Sequence, residues 1–206
     1  MKTALLLSGG MDSLCLAYWK RPDLGITIDY GQRAAQAEID ASSVICAELG
    51  IEHYIVRIDC SALGSGDMAG TAANGYAPAS DWWPYRNQLL VTFAAMKAIG
   101  LGATCLLIGS VKSDGQHADG TLEFVERLNG LLSMQEGALT VDAPAISMTT
   151  GELARHVRIP GSLLAWAHSC HKTNVACGSC RGCNKYFEVL DELADLLDRS
   201  GQSSAP

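Results

Sequence analysis

The sequence predicts an α/β fold in which helices cover a doubly wound, mostly parallel sheet, with a cysteine-rich segment near the C-terminus. Short apolar runs alternate with segments of helical periodicity, which favours parallel strands joined by helices. The chain has 206 residues, of which 48% are hydrophobic and 18% are charged, so it can bury a substantial core. We expect the α/β domain over 1–160, a metal-binding segment with a closing helix over 161–200, and a tail over 201–206.

The first half of the chain contains three predicted strands. Residues 4–7 form an apolar run before a glycine turn, and a helix is predicted over 12–20. A second strand is predicted over 24–28, and a third, alternating strand over 53–58. The helix between them shows apolar side chains at spacings of three and four, with Gly50 just past its end.

The second half continues the alternation after a long segment without periodicity. Residues 61–80 are rich in Gly, Ala and Ser and predict a mobile loop. A helix follows from residue 84 to about residue 99, then a strand over 103–108, a helix, and a strand over 139–143. Thr149-Thr150-Gly151-Glu152 predicts a capped helix start. The apolar faces of two further helices comprise Leu122, Val125, Leu128 and Leu132, and then Phe187, Leu190, Ala194 and Leu197.

Three loops of unusual composition follow predicted strands, over residues 8–13, 29–33 and 109–119. In open parallel sheets, ligands bind beyond the carboxyl ends of the strands. The sequence therefore predicts one ligand site formed by these loops.

The first of these loops, Ser8-Gly9-Gly10-Met11-Asp12-Ser13, has the composition of a phosphate cradle. Glycines let the backbone approach an anion, and the free N–H groups at a helix start attract it. Ser8 and Ser13 offer hydroxyl donors, and Asp12 is a candidate ligand for Mg²⁺ beside the phosphates. The loop lacks the Gly-Lys-Ser/Thr ending of a Walker A motif. The alternative is a tight strand-to-helix turn with a Ser or Asp cap.

Four of the eight cysteines lie within residues 170–183, at Cys170, Cys177, Cys180 and Cys183. Four thiolates at this spacing suit a tetrahedral Zn²⁺, which would be structural because no coordination position stays open. An iron–sulfur cluster and four free or buried cysteines are the alternatives. Gly178 and Gly182 lie where tight knuckles need positive φ, and His168 and His171 flank the first cysteine as neighbours.

Charge and hydropathy narrow the classes of partner. The net charge of −7 and a pI of about 5.1 argue against a broad nucleic-acid-binding surface, which is normally basic. The N-terminal apolar run is too short to span a membrane or to form a signal-peptide core. We therefore expect a cytoplasmic protein with a small substrate or a protein partner, and no membrane.

The phosphate-loop string resembles that of the N-type ATP pyrophosphatases, which split ATP into AMP and pyrophosphate to adenylate a substrate. Together with the cysteines, it makes the chain similar to the 7-cyano-7-deazaguanine synthase (QueC) family from about residue 4 to 195. The matching stretches are Leu7–Ser13, Ile28-Asp29-Tyr30-Gly31-Gln32-Arg33 with Glu38, Pro84-Tyr85-Arg86-Asn87, Ala143-Pro144 and the C-terminal cysteine pattern.

The resemblance implies an adenine nucleotide alpha hydrolase-like fold and a homodimer. It also implies ATP, Mg²⁺ and structural Zn²⁺ as cofactors. The family adenylates 7-carboxy-7-deazaguanine, converts it with ammonia to an amide, and uses a second ATP to form the nitrile. The implied phosphate-binding residues are Ser8, Gly9, Gly10, Met11, Asp12 and Ser13. The implied catalytic residues are Asp12, Ser13, Arg86 and Asp114. The implied substrate-binding residues are Tyr30, Gln32, Arg33, Arg86, Asn87, Asp114 and Asp119.

One segment departs from the family pattern. The positions of a family Tyr, Cys and Arg hold His117, Gly120 and Thr121, while Asp114 and Asp119 are retained. This change leaves the carboxylate substrate and the acceptor amine open. The alternatives are a relative that passes the activated deazapurine to an amine of a protein, as in anti-phage defence, and a tRNA-modifying pyrophosphatase. A non-enzymatic zinc-ribbon binding module is a further alternative.

Overall fold

Five parallel strands form the central sheet in the computed structural model, which describes residues 1–194. The strands are β1 Thr3–Leu6, β2 Leu24–Asp29, β3 Glu52–Arg57, β4 Cys105–Ile108 and β5 Thr140–Asp142. Their order is β3-β2-β1-β4-β5, and every adjacent pair is parallel. The chain therefore winds outward from β1 in both directions, and a crevice is expected between the carboxyl ends of β1 and β4.

Seven helices cover the sheet within these residues: α1 Met11–Lys20, α2 Ala35–Leu49, α3 Arg86–Gly100, α4 Leu122–Ser133, α5 Thr150–Val157, α6 Gly161–Leu164 and α7 Arg181–Glu192. Short 3₁₀ turns lie at Ser61–Leu63, Lys112–Gln116 and Ala118–Gly120. The predicted strands and longer helices are confirmed, and α6 and the 3₁₀ turns were not predicted. None of the helices within residues 1–194 is both long and apolar enough to cross a bilayer.

The core has two layers because alternate residues of each strand face opposite sides of the sheet. Leu5 and Leu7 pack on one side with α1, α2, α5, α6 and α7. Ala4 and Ile26 pack on the other side with α3 and α4. Burial on both faces explains the uninterrupted apolar runs of β1 and β4.

Two of the predicted helix faces are partly wrong. In α4 the side chain of Leu122 is 53% exposed, and Phe124 packs against the core in its place beside buried Val125 and Leu128. In α7 the side chain of Phe187 is 50% exposed, because the helix turns Val189 and Leu193 inward. The predicted Leu197 and the tail lie outside the described residues.

The segment predicted as a loop over 61–80 contains no regular element beyond the turn at Ser61–Leu63. It is nevertheless packed: Met68 is buried, and the ring of Trp83 just beyond it meets that of Tyr30 edge to face at 4.9 Å. The N–H of Asp67 donates to the carbonyl of Ser80 at 2.7 Å, which closes the segment on itself. Its mobility stays a prediction.

The start of α5 confirms the predicted capping box. Thr149 Oγ1 accepts from the N–H of Glu152 at 3.1 Å, and Glu152 Oε2 accepts from the N–H of Thr149 at 2.8 Å. This cap fixes the first turn of α5, and the turn carries Thr150 to the phosphate loop.

Candidate active site

A cavity of about 660 Å³ lies at the carboxyl ends of β1, β2 and β4. Most of the predicted site residues line it: Ser8, Gly10, Met11, Asp12, Ser13, Tyr30, Arg86, Asn87, Asp114 and Asp119. The structure thus brings together three loops that are far apart in sequence. Three other predicted residues, Gly9, Gln32 and Arg33, are not among those that line the cavity.

The phosphate loop needs each of its two glycines for a different reason. Gly9 has φ +73°, and a Cβ there would lie 2.8 Å from the carbonyl oxygen of Glu38. Gly10 has an extended backbone at the N-cap of α1, and its nearest neighbour to a Cβ would be Ser8 Oγ at 3.5 Å. Gly9 therefore lets α2 pack against the loop, whereas Gly10 leaves the cavity side open to a ligand.

The hydroxyls of the loop form a compact network. Ser13 Oγ donates to the carbonyl of Gly10 at 3.0 Å and lies 3.3 Å from Ser8 Oγ. The N–H of Ser8 points to the same Ser13 oxygen at 3.3 Å. This network holds the backbone at the start of α1, where N–H groups and the helix dipole favour an anion.

Asp12 connects α1 to α5 and α7. Its Oδ1 accepts from Thr150 Oγ1 at 2.6 Å, and its Oδ2 is 2.9 Å from Lys185 Nζ on α7. Lys185 Nζ also lies 3.9 Å from Asp114 Oδ1. Burial, opposed by the Lys185 charge, raises the pKa of Asp114 above its usual range. Thr150 and Lys185 were not predicted as site residues. Nothing in the sequence around them indicates that their side chains face the phosphate loop.

Arg86 is the first residue of α3 and lines the cavity. Its Nη1 lies 2.9 Å from the Sδ of Met68, which is also 3.6 Å from the hydroxyl of Tyr30. Within residues 1–194 no carboxylate lies within ion-pair distance of this guanidinium. A thioether is a weak acceptor. Arg86 is therefore a half-buried cation that can take an anionic ligand.

Asn87 and Asp119 are engaged with each other. The N–H of Asn87 donates to Asp119 Oδ2 at 3.2 Å, and Asn87 Nδ2 donates to the Asp119 carbonyl at 2.9 Å. These bonds fasten the start of α3 to the turn at Ala118–Gly120. Both residues line the cavity while they also fix its wall.

Gln32 and Arg33 face away from the cavity in different ways. Gln32 is buried, accepts from the N–H of Tyr30 at 2.9 Å, and donates to Glu38 Oε2 at 2.9 Å. Arg33 is exposed, and its side chain lies against Gly70, where a Cβ would be 2.9 Å from Arg33 Cδ. The direct substrate contacts expected of these two residues stay predictions.

Glu38 is a cavity residue that was matched in sequence but given no role. Burial raises the pKa of the Glu38 carboxyl to about 7, although the hydrogen bond from Gln32 and the charge of Arg86 oppose the shift. Because the folded pKa exceeds the unfolded one, the native state binds more protons than the unfolded state between these values. The contribution of Glu38 to stability is therefore fully present below pH 4.5 and is lost as pH rises through about 7.

Replacing Glu38 with glutamine should remove this titration. We expect the variant to gain free energy of unfolding relative to wild type as pH rises from about 4.5, levelling at about 3 kcal/mol above pH 7. Urea unfolding measured across this range checks the difference. Glu48→Gln, at an exposed position on the same helix, is the matched control. A Glu38→Gln difference that does not change with pH would contradict the expectation.

The segment that departs from the family pattern folds as two 3₁₀ turns. Gly120 is required there, because a Cβ would lie 2.2 Å from the carbonyl oxygen of Asp114. His117 Nε2 lies 3.2 Å from Arg181 Nη1 and 3.8 Å from the buried carboxylate of Asp81. Arg181 also pairs with Asp81 at 3.2 Å, and His171 Nδ1 lies 3.6 Å from that carboxylate.

This cluster of Asp81, His117, His171 and Arg181 forms one wall of the cavity. Burial lowers the pKa of His171 to about 4, although the Asp81 charge opposes the shift. Burial opposes ionisation of Asp81, but the charges of His171 and Arg181 hold its pKa below the usual range. The sequence analysis missed the cluster because its members come from three distant segments.

The four predicted cysteine ligands converge. Their Sγ atoms all lie within 4.8 Å of one another. Cys170 and Cys180 are 3.9 Å apart at sulfur, as are Cys177 and Cys183. Tetrahedral zinc with Zn–S bonds of about 2.3 Å places sulfurs about 3.8 Å apart. The geometry therefore fits a metal held by four thiolates.

Backbone donors surround this cysteine cluster. The N–H groups of His171 and Cys183 each lie 3.4 Å from Cys180 Sγ. The N–H groups of Ser179 and Cys180 lower the pKa of the Cys177 thiol to about 6. Gly178 has the predicted positive φ, of +73°. Gly182 does not: it lies in α7 and is needed because a Cβ would meet the carbonyl of Ser169 at 1.9 Å.

The segment before the cysteines also contacts the phosphate loop. The N–H of His168 donates to the carbonyl of Gly9 at 2.9 Å, and its Nε2 lies 3.2 Å from the carbonyl of Thr173. Burial lowers the pKa of this imidazole. The metal segment and the phosphate loop therefore form adjoining walls of one site.

Comparison with known proteins places the chain among relatives of the same length. The family model described as queuosine biosynthesis protein QueC matches residues 2–193. A 7-cyano-7-deazaguanine synthase of Desulforudis audaxviator is 32% identical over 90% of this chain and 94% of its own. One from Methanocaldococcus jannaschii is 31% identical over 89% of this chain and 91% of its own.

A solved structure shares the fold. The U34-tRNA thiolase NcsA from Methanococcus maripaludis, determined with its [4Fe-4S] cluster, has a TM-score of 0.54 and 20% identity. The match covers 97% of this chain and 67% of the thiolase. This likeness bears on the fold alone.

Proposed function

The chain belongs to the QueC family of queuosine biosynthesis proteins, and we propose that it converts 7-carboxy-7-deazaguanine to 7-cyano-7-deazaguanine with ATP and ammonia. One observation carries the proposal: Arg86, which has no carboxylate within ion-pair distance in residues 1–194, shares a single cavity with the phosphate loop. A site that joins a carboxylate to ATP needs these two anion-binding elements side by side.

In the proposed first step, a substrate carboxylate oxygen attacks the α-phosphorus of ATP. The new bond is carboxylate oxygen to phosphorus, and the bond to the pyrophosphate oxygen breaks. Ser8, Ser13 and the backbone of the loop bind the phosphates, while Arg86 orients the carboxylate. The protein contributes positioning and charge stabilisation, without a covalent intermediate of its own.

Ammonia then attacks the acyl-adenylate, and AMP leaves to give the primary amide. The amide oxygen then attacks the α-phosphorus of a second ATP, and the bond to pyrophosphate breaks. Cleavage of the carbon–oxygen bond of this adenylate releases AMP, and with loss of the two N–H protons the nitrile forms. Tyr30, Asn87, Asp114 and Asp119 line the same cavity and are our candidates for contacts to the deazapurine. Gln32 would support this wall from behind through its hydrogen bonds to Tyr30 and Glu38.

Two metals belong to the proposal. Asp12 would hold Mg²⁺, which supplies charge to the phosphates, because its carboxylate lies at the start of α1 beside the loop. The four cysteines would hold a structural Zn²⁺, since their sulfurs fit a closed tetrahedral site. A reducing compartment such as the cytoplasm suits a site of free thiolates, and a homodimer is proposed from the family.

The alternative activities receive no support from the relatives described above, which carry the synthase name. An acceptor amine on a protein, sulfur or amine transfer to tRNA, and a purely binding role each predict a different product. The departing segment around His117 faces Arg181 and Asp81, so it changes one wall of the cavity without removing Arg86 or the loop.

Mass spectrometry of the reaction with 7-carboxy-7-deazaguanine, ATP, Mg²⁺ and ammonium tests the proposal. The expected result is the nitrile together with AMP. If AMP forms together with an amide adduct and no nitrile, the acceptor is an amine other than ammonia. If no AMP forms, 7-carboxy-7-deazaguanine is not the substrate.

A further inference from the structure

Lys185 is the basic side chain that meets the phosphate loop. Its Nζ lies 2.9 Å from Asp12 Oδ2, across 173 residues of sequence. The side chain is half-buried and lines the cavity. Nothing in the sequence pattern marked it.

The other lysine and arginine side chains that line the cavity lie away from the phosphate loop. Arg181 is paired with the buried carboxylate of Asp81 at 3.2 Å. Arg86 lies beside Met68, at the α3 wall. Triphosphate bound at the loop brings several negative charges, and Lys185 is the cation already positioned beside that loop.

Two carboxylates lie beside the ammonium group of Lys185. Asp12 Oδ2 is 2.9 Å from its Nζ, and Asp114 Oδ1 is 3.9 Å from it. An ammonium held between two carboxylates can exchange one of them for a phosphate oxygen without losing its compensation. The contact with Asp12 therefore places the cation at the edge of the phosphate loop.

We propose that Lys185 is a catalytic residue that binds the pyrophosphate leaving group of ATP. When the carboxylate oxygen bonds to the α-phosphorus, the bond to the bridging oxygen breaks and its electron pair stays on pyrophosphate. Lys185 stabilises the charge that develops on that oxygen, while Asp12 would hold the Mg²⁺ of the proposed function. The inference rests on the ATP chemistry of the proposed function and does not depend on the identity of the carboxylate.

The cysteine cluster positions this lysine. Cys180 is the N-cap of α7, where its Sγ accepts from the N–H of Cys183 at 3.4 Å. Lys185 follows two residues after Cys183, within the first two turns of the same helix. The metal segment thus starts the helix that brings a cation to the phosphate loop.

Titration calorimetry with inorganic pyrophosphate and Mg²⁺ tests the inference on the full, metal-loaded chain. We expect Lys185→Met to weaken pyrophosphate binding by about 10- to 100-fold, which is the loss of one charge-assisted hydrogen bond. Lys185→Arg should recover part of the affinity, because the charge is kept. Lys172→Met is the matched control: Lys172 lies in the same segment, pairs with Asp67 at 3.4 Å and is not among the residues that line the cavity.

Metal content and thermal unfolding are measured on each variant. Unchanged pyrophosphate affinity in a metal-loaded Lys185→Met would overturn the inference. Loss of metal from Lys185→Met at wild-type pyrophosphate affinity would do so too, since the lysine would then be structural. Pyrophosphate binding needs no deazapurine. A wild type that binds pyrophosphate but makes no nitrile would therefore contradict the proposed function and leave the inference on Lys185 intact.

Discussion

Arg86→Met is expected to lower kcat/KM for AMP formation with 7-carboxy-7-deazaguanine by about 10²- to 10³-fold. The guanidinium lines the cavity beside Met68 and Tyr30, where a carboxylate can replace the weak thioether contact. Methionine keeps much of the length but offers no donor. Steady-state AMP formation at varied carboxylate concentration checks the loss.

Arg33 provides the contrast for Arg86. It belongs to the same predicted substrate set, but it is exposed and packs on Gly70 outside the cavity. Arg33→Met should therefore change kcat/KM by less than about threefold. Equal losses at both positions would show that Arg86 acts through the fold of the 61–85 segment and not on the substrate.

Cys180→Ser should abolish stoichiometric metal binding and with it most of the AMP-forming activity. Cys180 is 2% exposed, lies 3.9 Å from Cys170 at sulfur, and caps α7. A structural zinc contributes a binding free energy on the order of 10 kcal/mol. Losing one of four thiolates opens the closed site and weakens metal binding. The helix that carries Lys185 and Arg181 then loses its anchored start.

Elemental analysis of the purified protein, together with AMP formation, measures this effect. Ser179→Ala changes an exposed residue between two ligands and should retain about one zinc per chain. A Cys180→Ser variant that keeps full zinc and full activity would disprove a four-cysteine structural site. If the wild type instead contains iron and absorbs visible light, the four cysteines hold an iron–sulfur cluster and not zinc.

The parts of the site that the sequence predicted are those fixed by local geometry. The phosphate loop follows from Gly9 and Gly10 after a buried strand, and the capping box at Thr149 predicts the start of α5 correctly. The four cysteines were found because their spacing alone brings sulfurs close together. Each of these signals lies within a few consecutive residues.

The parts that escaped prediction depend on long-range packing. Lys185, Thr150 and Asp81 reach the cavity only because α5 and α7 pack against α1 and the 61–85 segment closes over one wall. Gln32 makes a contact that its motif did not predict: its amide donates to Glu38 Oε2. Periodicity identified the helices, but it could not say which polar side chain of each helix would face the loop.

The joining of Asp12 to a lysine 173 residues later has a consequence for the protein during its synthesis. At translation rates of about 5 to 20 residues per second, Lys185 leaves the ribosome about 10 to 35 seconds after Asp12. A chain that stops before α7 lacks Lys185, which lines the proposed nucleotide site, and Cys183, one of the four clustered cysteines. Under the proposed chemistry, ATP is therefore spent only by chains whose translation has passed α7.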